Sequence, residues 1–309
     1  MENFWIVARQ VGILFALMGV GVACRLTKLV DDKAVKGIVN LLILFVTPCL
    51  IVNCFQRPFD PAMLQGLGVS FLVALGAHVA AIVLALTLVR HAADDSRRVL
   101  QLATVFSNAG FMGVPLEQAI LGDVGVFYGV TSVVVFNLFI WSWGLARMKK
   151  GHAGPGRAMF VNPGTIGIAF GLGLFLTSCR LPEIVHTPVR MMADLNTPLA
   201  MVVIGFYLGG MRLGAVLKSP PAYVSLALRL VAVPLLVTAA LYPFRHSLDR
   251  TMMLASVIPA AAPVGAMVTM FASKFERDVD MSVGMVCGST LLSILTMPPI
   301  IAFAMEVLQ

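Results

Sequence analysis

Between Phe106 and Gln118 the chain reads FSNAGFMGVPLEQ, inside a run otherwise apolar enough to cross a bilayer. Ser107 and Asn108 offer hydrogen-bond donors and acceptors together. Gly110 and Gly113 weaken the helix that follows, and Pro115 lacks an N–H and disfavours helix in the residue before it. A second apolar run carries PAAAPVG, with Pro259, Pro263 and Gly265. Irregular backbone at membrane depth is tolerated only when buried in protein or facing a water-filled cavity. With Pro115 and Pro263 read as first residues of the half-helices that follow, unpaired N–H groups and partial positive charge would converge near the midplane. That is a site for a carboxylate, with Ser107 and Asn108 orienting it. Two kinks needed only for packing would leave the same signature.

The elements that position these residues follow from composition. Hydrophobic residues make up 59% of the 309 and charged residues 12%, against about 45–50% and 25% in soluble chains. Lipid is therefore the solvent. A bilayer core takes about 20 apolar residues per helix, which predicts ten segments: Phe4–Cys24, Val35–Phe55, Leu67–Val89, Val99–Leu121, Val124–Ala146, Phe160–Cys179, Val189–Met211, Tyr223–Phe244, Met252–Ser273 and Met281–Met305. No period-two alternation suggests a barrel. The first apolar stretch lacks a basic leader and reads as a retained span. Cys24, Cys49, Cys54, Cys179 and Cys287 show no ligand spacing and read as small hydrophobes.

The net charge of +7 lies in short gaps between apolar runs, a topology pattern and not a nucleic-acid face. Fifteen Lys and Arg fall in connections on one side and five on the other, with Arg9 and Arg229 inside segments. The bias places both termini outside the inner (cytoplasmic) membrane. The longest basic connection divides the chain into a first five-helix repeat, residues 1–148, a loop at 149–159, and a second repeat, residues 160–309. GILF at Gly12 matches GIAF at Gly167, and CRL recurs at Cys24 and Cys179. Thr47-Pro48 recurs at Thr197-Pro198, and LATVFSNAGFMG from Leu102 lies over LASVIPAAAPVG from Leu254. With five spans each, the second repeat must insert upside down, as in secondary transporters built from inverted repeats with broken helices.

NAGFMGVPL from Asn108 closely resembles the segment-4 signature of the auxin efflux carrier family, whose bacterial members include malate and malonate permeases; TPLAM at Thr197 and the Pro-rich segment 9 are similar too. The resemblance spans the chain. It implies an all-α polytopic fold like that of sodium/proton antiporters and bile-acid symporters, with two crossed broken helices. Segments 3–5 and 8–10 would form a mobile transport domain, and segments 1, 2, 6 and 7 a scaffold that dimerises. It further implies carriage of small organic anions by elevator movement, with Asn108, Gly110, Gly113, Pro115, Pro259 and Pro263 as crossing-helix residues. The central loop is as short as in bacterial members, unlike the long plant loop. Asn137 is a further substrate contact under this analogy, or a helix–helix hydrogen bond.

Ionisable groups within spans mark function by default. Asp194 reads as a proton carrier or as an interfacial Asp near a helix start, and His78 as a proton relay or a packing histidine. Arg229 would attract the anion or snorkel to the interface. The sequence predicts uniport or proton coupling, since no span holds the clustered acids of a hard-cation site. An anion channel and a sodium-coupled symporter are the alternatives. No nucleophile–base pair, metal motif or cofactor motif suggests an enzyme.

Overall fold

Proline decides where these helices change pitch. In the computed structural model, which describes residues 2–149, 163–210 and 214–309, three widened π turns end two residues before a proline. They are Leu42–Val46 before Pro48, Ala109–Gly113 before Pro115, and Leu228–Ala232 before Pro234. A proline supplies no N–H to the carbonyl four residues back and its ring crowds that carbonyl, so the helix widens locally and continues. A fourth π turn, Ile140–Gly144, has no proline behind it.

The described residues form helices α1 (Glu2–Leu26), α2 (Asp32–Leu41), α3 (Thr47–Cys54), α4 (Pro61–Leu88), α5 (Asp94–Val105), α6 (Val114–Phe139), α7 (Leu145–Met148), α8 (Pro163–Leu176), α9 (Glu183–Asp194) and α10 (Asn196–Leu208). Then follow α11 (Gly214–Leu217), α12 (Pro220–Ala227), α13 (Val233–Leu241), α14 (Arg250–Ala261), α15 (Met267–Lys274) and α16 (Val279–Val307). No strand occurs among them. Seven stretches are long and apolar enough to cross a membrane: Asn3–Leu26, Asp32–Cys54, Pro61–Leu88, Ala109–Met148, Glu183–Leu208, Pro220–Phe244 and Val279–Val307. The protein is thus an all-helical, polytopic membrane protein. Leu72, Ile184 and Leu295 are among many large apolar side chains left exposed, as lipid-facing positions require.

Each of the ten predicted segments overlaps helix, but the boundaries differ. Segments 4 and 5 run on as Ala109–Met148, divided only by a sharp turn at Gly122, whose φ of 68° suits glycine. Segment 7 begins earlier than expected, at Glu183, and breaks at Leu195 before the second Thr-Pro. The connection placed at 149–159, apart from Lys149, together with Phe160 and Met211, lies outside the described residues.

Carboxylates start the helices at both ends of the molecule. Asp31 accepts from the Ala34 amide at 2.7 Å, Asp60 from Ala62 at 2.8 Å, Asp249 from Met252 at 2.8 Å and Asp278 from Met281 at 3.0 Å, each satisfying one orphan N–H. Between helices, small residues set the approach. A Cβ on Gly21 would lie 2.0 Å from the Val202 carbonyl, and one on Gly205 1.9 Å from that of Met18. So α1 and α10 touch backbone to backbone, the way helices associate where lipid removes any hydrophobic drive. The Thr47 hydroxyl meets Asn196 Oδ1 at 3.3 Å, joining the two Thr-Pro kinks.

At the basic end a polar lattice ties α4, α5, α7, α15 and α16 together. Buried Arg277 bonds Asp95 and donates to the Met148 carbonyl at 2.9 Å. Arg98 donates to the Arg147 carbonyl at 2.7 Å, Arg147 to Gln101 at 2.8 Å, and Ser96 to Asp278 at 2.5 Å. Gln101 in turn donates to the Val89 carbonyl at 2.9 Å.

Candidate functional site

The helix through α5 stops at Val105 because Phe106 adopts extended backbone. The helix through α14 stops at Ala261, and residues 262–266 cross to α15. These two interruptions meet. Ser107 and Val264 pair as an isolated antiparallel bridge. The Asn108 amide donates to the Pro263 carbonyl at 2.6 Å, and the Gly265 amide to the Phe106 carbonyl at 2.9 Å. The Val264 amide donates to Ser289 Oγ of α16 at 3.0 Å. Beyond the crossing, the Asn108 carbonyl accepts from the Met112 and Gly113 amides, both at 3.0 Å. A Cβ on Gly113 would lie 3.2 Å from Pro259 Cα, so glycine lets one broken helix rest on the other.

Two helix C-termini therefore point carbonyls at one place, and Arg229 fills it. Its side chain is 2% exposed. Nη1 donates to the carbonyls of Thr104 and Val105 at 3.3 and 3.1 Å, and Nη2 bonds the Ala260 carbonyl. A cation at a helix C-terminus is favourable against the macrodipole; here one guanidinium serves two helices. Its Nε has no partner, and the residue sits in a π turn, a local geometry frequent at functional sites.

Arg229 lines a cavity with Ala74, His78, Val105, Ser107, Ser132, Ser256, Pro259 and Ala260 among its walls. Its volume is about 20 Å³, room for about one water molecule. His78 Nδ1 lies 2.9 Å from the Ala74 carbonyl. A carbonyl only accepts, so Nδ1 carries the proton in the neutral ring, while Nε2 has no partner. The ring stacks on Phe139 at 5.4 Å between centroids.

Of the sequence-predicted residues, Ser107, Pro259 and His78 line the cavity. Asn108 is buried at the crossing, and its side-chain amide has no hydrogen bond to a described protein group. Gly110 has open space where a Cβ would stand. Pro115 is not the first residue of its half-helix: the helix resumes at Ala109, and the π turn absorbs the missing N–H. Pro263 lies outside helix altogether, its carbonyl spent on Asn108. Asn137 donates to the Val133 carbonyl of its own helix at 2.8 Å. Asp194 is exposed at the end of α9, remote in the chain from every cavity-lining residue. The snorkelling alternative for Arg229 is corrected: its head is buried on carbonyls. Ser132 and Ser256 went unmarked because a lone serine in a helix carries no signal of its own.

A polytopic helical protein whose broken segments cross around a buried cation belongs to the class of membrane transporters. The sequence profile of one family, described as "Membrane transport protein", matches residues 6–157 and 156–301. The chain belongs to that family, the auxin efflux carriers. None of the curated proteins compared with it matches.

Proposed function

We propose that this chain is a secondary carrier for small organic anions, carboxylates such as malonate or malate, and that it works by elevator-type alternating access in the cytoplasmic membrane. One observation carries the reading: the crossing of two broken helices holds Arg229 against their carbonyl ends, beside a small cavity that Ser107, Ser132, Ser256 and His78 also line. The guanidinium supplies the positive charge an anion needs, and Asn108 the unspent donor. Ten spans in two inverted repeats, residues 1–148 and 160–309 joined at 149–159, account for the facing Thr-Pro kinks and the antiparallel bridge. In this reading α4–α7 and α11–α16 move as the transport domain, held together by the Arg277 lattice. The scaffold is α1–α3 with α8–α10, and it forms the homodimer; both termini lie outside. Transport runs as uniport or coupled to protons.

The test is thermal stabilisation of purified protein by a panel of mono- and dicarboxylates. A ligand that binds only the folded state raises its melting temperature with occupancy. Asn108→Ala leaves every backbone bond of the crossing in place, so it is expected to keep the unliganded melting temperature and lose the ligand-induced shift. An equal shift in wild type and Asn108→Ala would remove Asn108 from the site. Single-channel currents would end the carrier reading.

A further inference from the structure

Glu117 is, with Arg229 and His78, an ionisable side chain sealed inside a span. It is fully buried, two residues past Pro115 on the half-helix beyond the crossing, and neither carboxyl oxygen has a hydrogen-bond partner among the described residues. Its place is built by glycine. After the turn at Gly122 the chain doubles back, and a Cβ on Gly129 would lie 2.0 Å from Glu117 Oε2 and 2.1 Å from Oε1. Gly125, four residues earlier, would bring a Cβ to 3.2 Å from the Glu117 carbonyl. Gly129 thus makes the room for the carboxyl group while Gly125 lets the backbone of Glu117 approach, and Gly129 lies three residues along α6 from cavity-lining Ser132.

Ionising an unpartnered carboxyl group so deeply buried is costly unless another charge carried with it compensates. The titratable groups on the elements packed around it are the Cys54 thiol of α3 with Arg57 beyond, and Asp123 and Tyr128 past the Gly122 turn. On α4 there is His78, facing Phe106 and Phe139, and on α1 exposed Arg9. α8 and the buried length of α14 bring no ionisable group. None donates a hydrogen bond to Glu117.

We propose that Glu117 binds the proton that travels with the anion, an inference that rests on the carrier reading above. Arg229 and Glu117 lie in the same moving body, with no ion pair joining them, and moving net charge through low dielectric is costly. A loaded carrier with Arg229 charged, one monoanion bound (a dicarboxylate such as malonate entering in its singly protonated form) and Glu117 protonated is neutral. An empty carrier with Arg229 charged and Glu117 ionised is also neutral. The proton taken by the Glu117 carboxylate on loading leaves it on the far side as the anion departs, giving one proton per anion.

The experiment uses proteoliposomes of the full chain with radiolabelled malonate, comparing malonate–malonate exchange with net uptake driven by a pH gradient. Gln at 117 mimics the neutral acid, so the loaded carrier crosses and the empty one returns charged. Glu117→Gln is therefore expected to keep exchange and lose net uptake, while Glu117→Asp, still titratable in the same cradle, keeps both. Proton-driven net uptake by Glu117→Gln, or equal loss in the Gln and Asp variants, would overturn the assignment and leave the carrier reading standing. A wild type that performs neither exchange nor uptake of malonate or any other carboxylate would remove both. Infrared spectra of the wild type decide the case should Gln prevent folding. A protonated-carboxyl band that fades as pH rises is expected, and its absence overturns the proposal.

Discussion

The amide of Asn108 donates to the carbonyl of Pro263 at 2.6 Å, so the two interrupted helices are hydrogen-bonded to each other at their breaks. Backbone groups freed by the interruptions are thereby partly satisfied within the protein, as burial demands. In the proposed site, the side-chain amide of Asn108, the hydroxyl of Ser107 and the Nε of Arg229 would remain for a ligand, since both Nη groups are spent on carbonyls.

Gly265 is where that pairing is most easily broken. A Cβ there would lie 2.9 Å from the Ser107 carbonyl, backbone against backbone, with no flexible side chain to give way. Gly265→Ala is expected to destabilise by about 1–3 kcal/mol, the usual cost of overpacking. Gly110→Ala, with nothing within 4 Å of the new methyl, is expected to keep or raise stability, by up to about 1 kcal/mol from helix propensity. Melting temperatures of the two variants side by side check this. A Gly265→Ala protein as stable as wild type would show that the bridge is not structurally important.

Arg229 satisfies three carbonyls at two helix ends. Arg229→Met keeps the stem and removes every donor, at an expected cost of about 1.5–3 kcal/mol for each charged hydrogen bond lost. Arg229→Lys keeps the charge, but one ammonium cannot span the same fork. The Lys variant is expected to fold better than the Met variant and to bind anion more weakly than wild type. Anion affinity unchanged in Arg229→Lys would make the guanidinium a purely structural cap.

At the basic end, the Arg98 guanidinium hydrogen-bonded to Asp94 holds that carboxyl below its ordinary range. A depressed carboxylate contributes stability that is present above its unfolded value and lost as pH falls through the folded one. The gap in melting temperature between wild type and Asp94→Asn is therefore expected at neutral pH and should close in acid, below the ordinary carboxylate range. Asp94 is half exposed, so the gap is small. A gap that widens in acid would contradict the assignment.

The breaks were legible because proline and glycine act locally: Pro115, Pro263 and the two Thr-Pro pairs each lie at or beside a change of helix, while Pro259 sits inside α14. Their exact roles were not, since the half-helix restarts at Ala109 and Pro263 serves through its carbonyl. Those outcomes depend on what the opposite break presents, which no single segment encodes. Arg229 was visible as a charge in an apolar run, yet snorkelling and capping look alike until the neighbouring carbonyls are placed. Glu117 lies within the FSNAGFMGVPLEQ stretch, but its sealing carries no mark in the sequence. Only the doubling back at Gly122 seals it against Gly129.

The α1–α10 contact offers a check on the scaffold independent of any ligand. Gly21 and Gly205 each admit the other helix's backbone within 2.0 Å of a Cβ position, so no rotamer relieves a methyl. Gly205→Ala and Gly21→Ala are each expected to cost about 1–3 kcal/mol or more. They should lower melting temperature while leaving the ligand-induced shift of the surviving protein intact. Loss of binding with stability unchanged would place this contact in the transport cycle instead.

Orientation can be read from a cysteine. Cys179 is exposed in the turn after α8, Cys54 and Cys287 are buried, and Cys24 and Cys49 are partly covered within helices. In the proposed orientation, with both termini outside, the connection holding Cys179 would also lie outside and the fifteen-charge side would face the cytoplasm. A membrane-impermeant maleimide applied to intact cells is expected to label Cys179. A Cys179→Ala variant should lose that label, and a cysteine introduced at exposed Lys28 should react only after the membrane is opened. Labelling at Lys28→Cys in sealed cells, with Cys179 protected, would invert the topology and with it the side to which the basic lattice around Arg277 belongs.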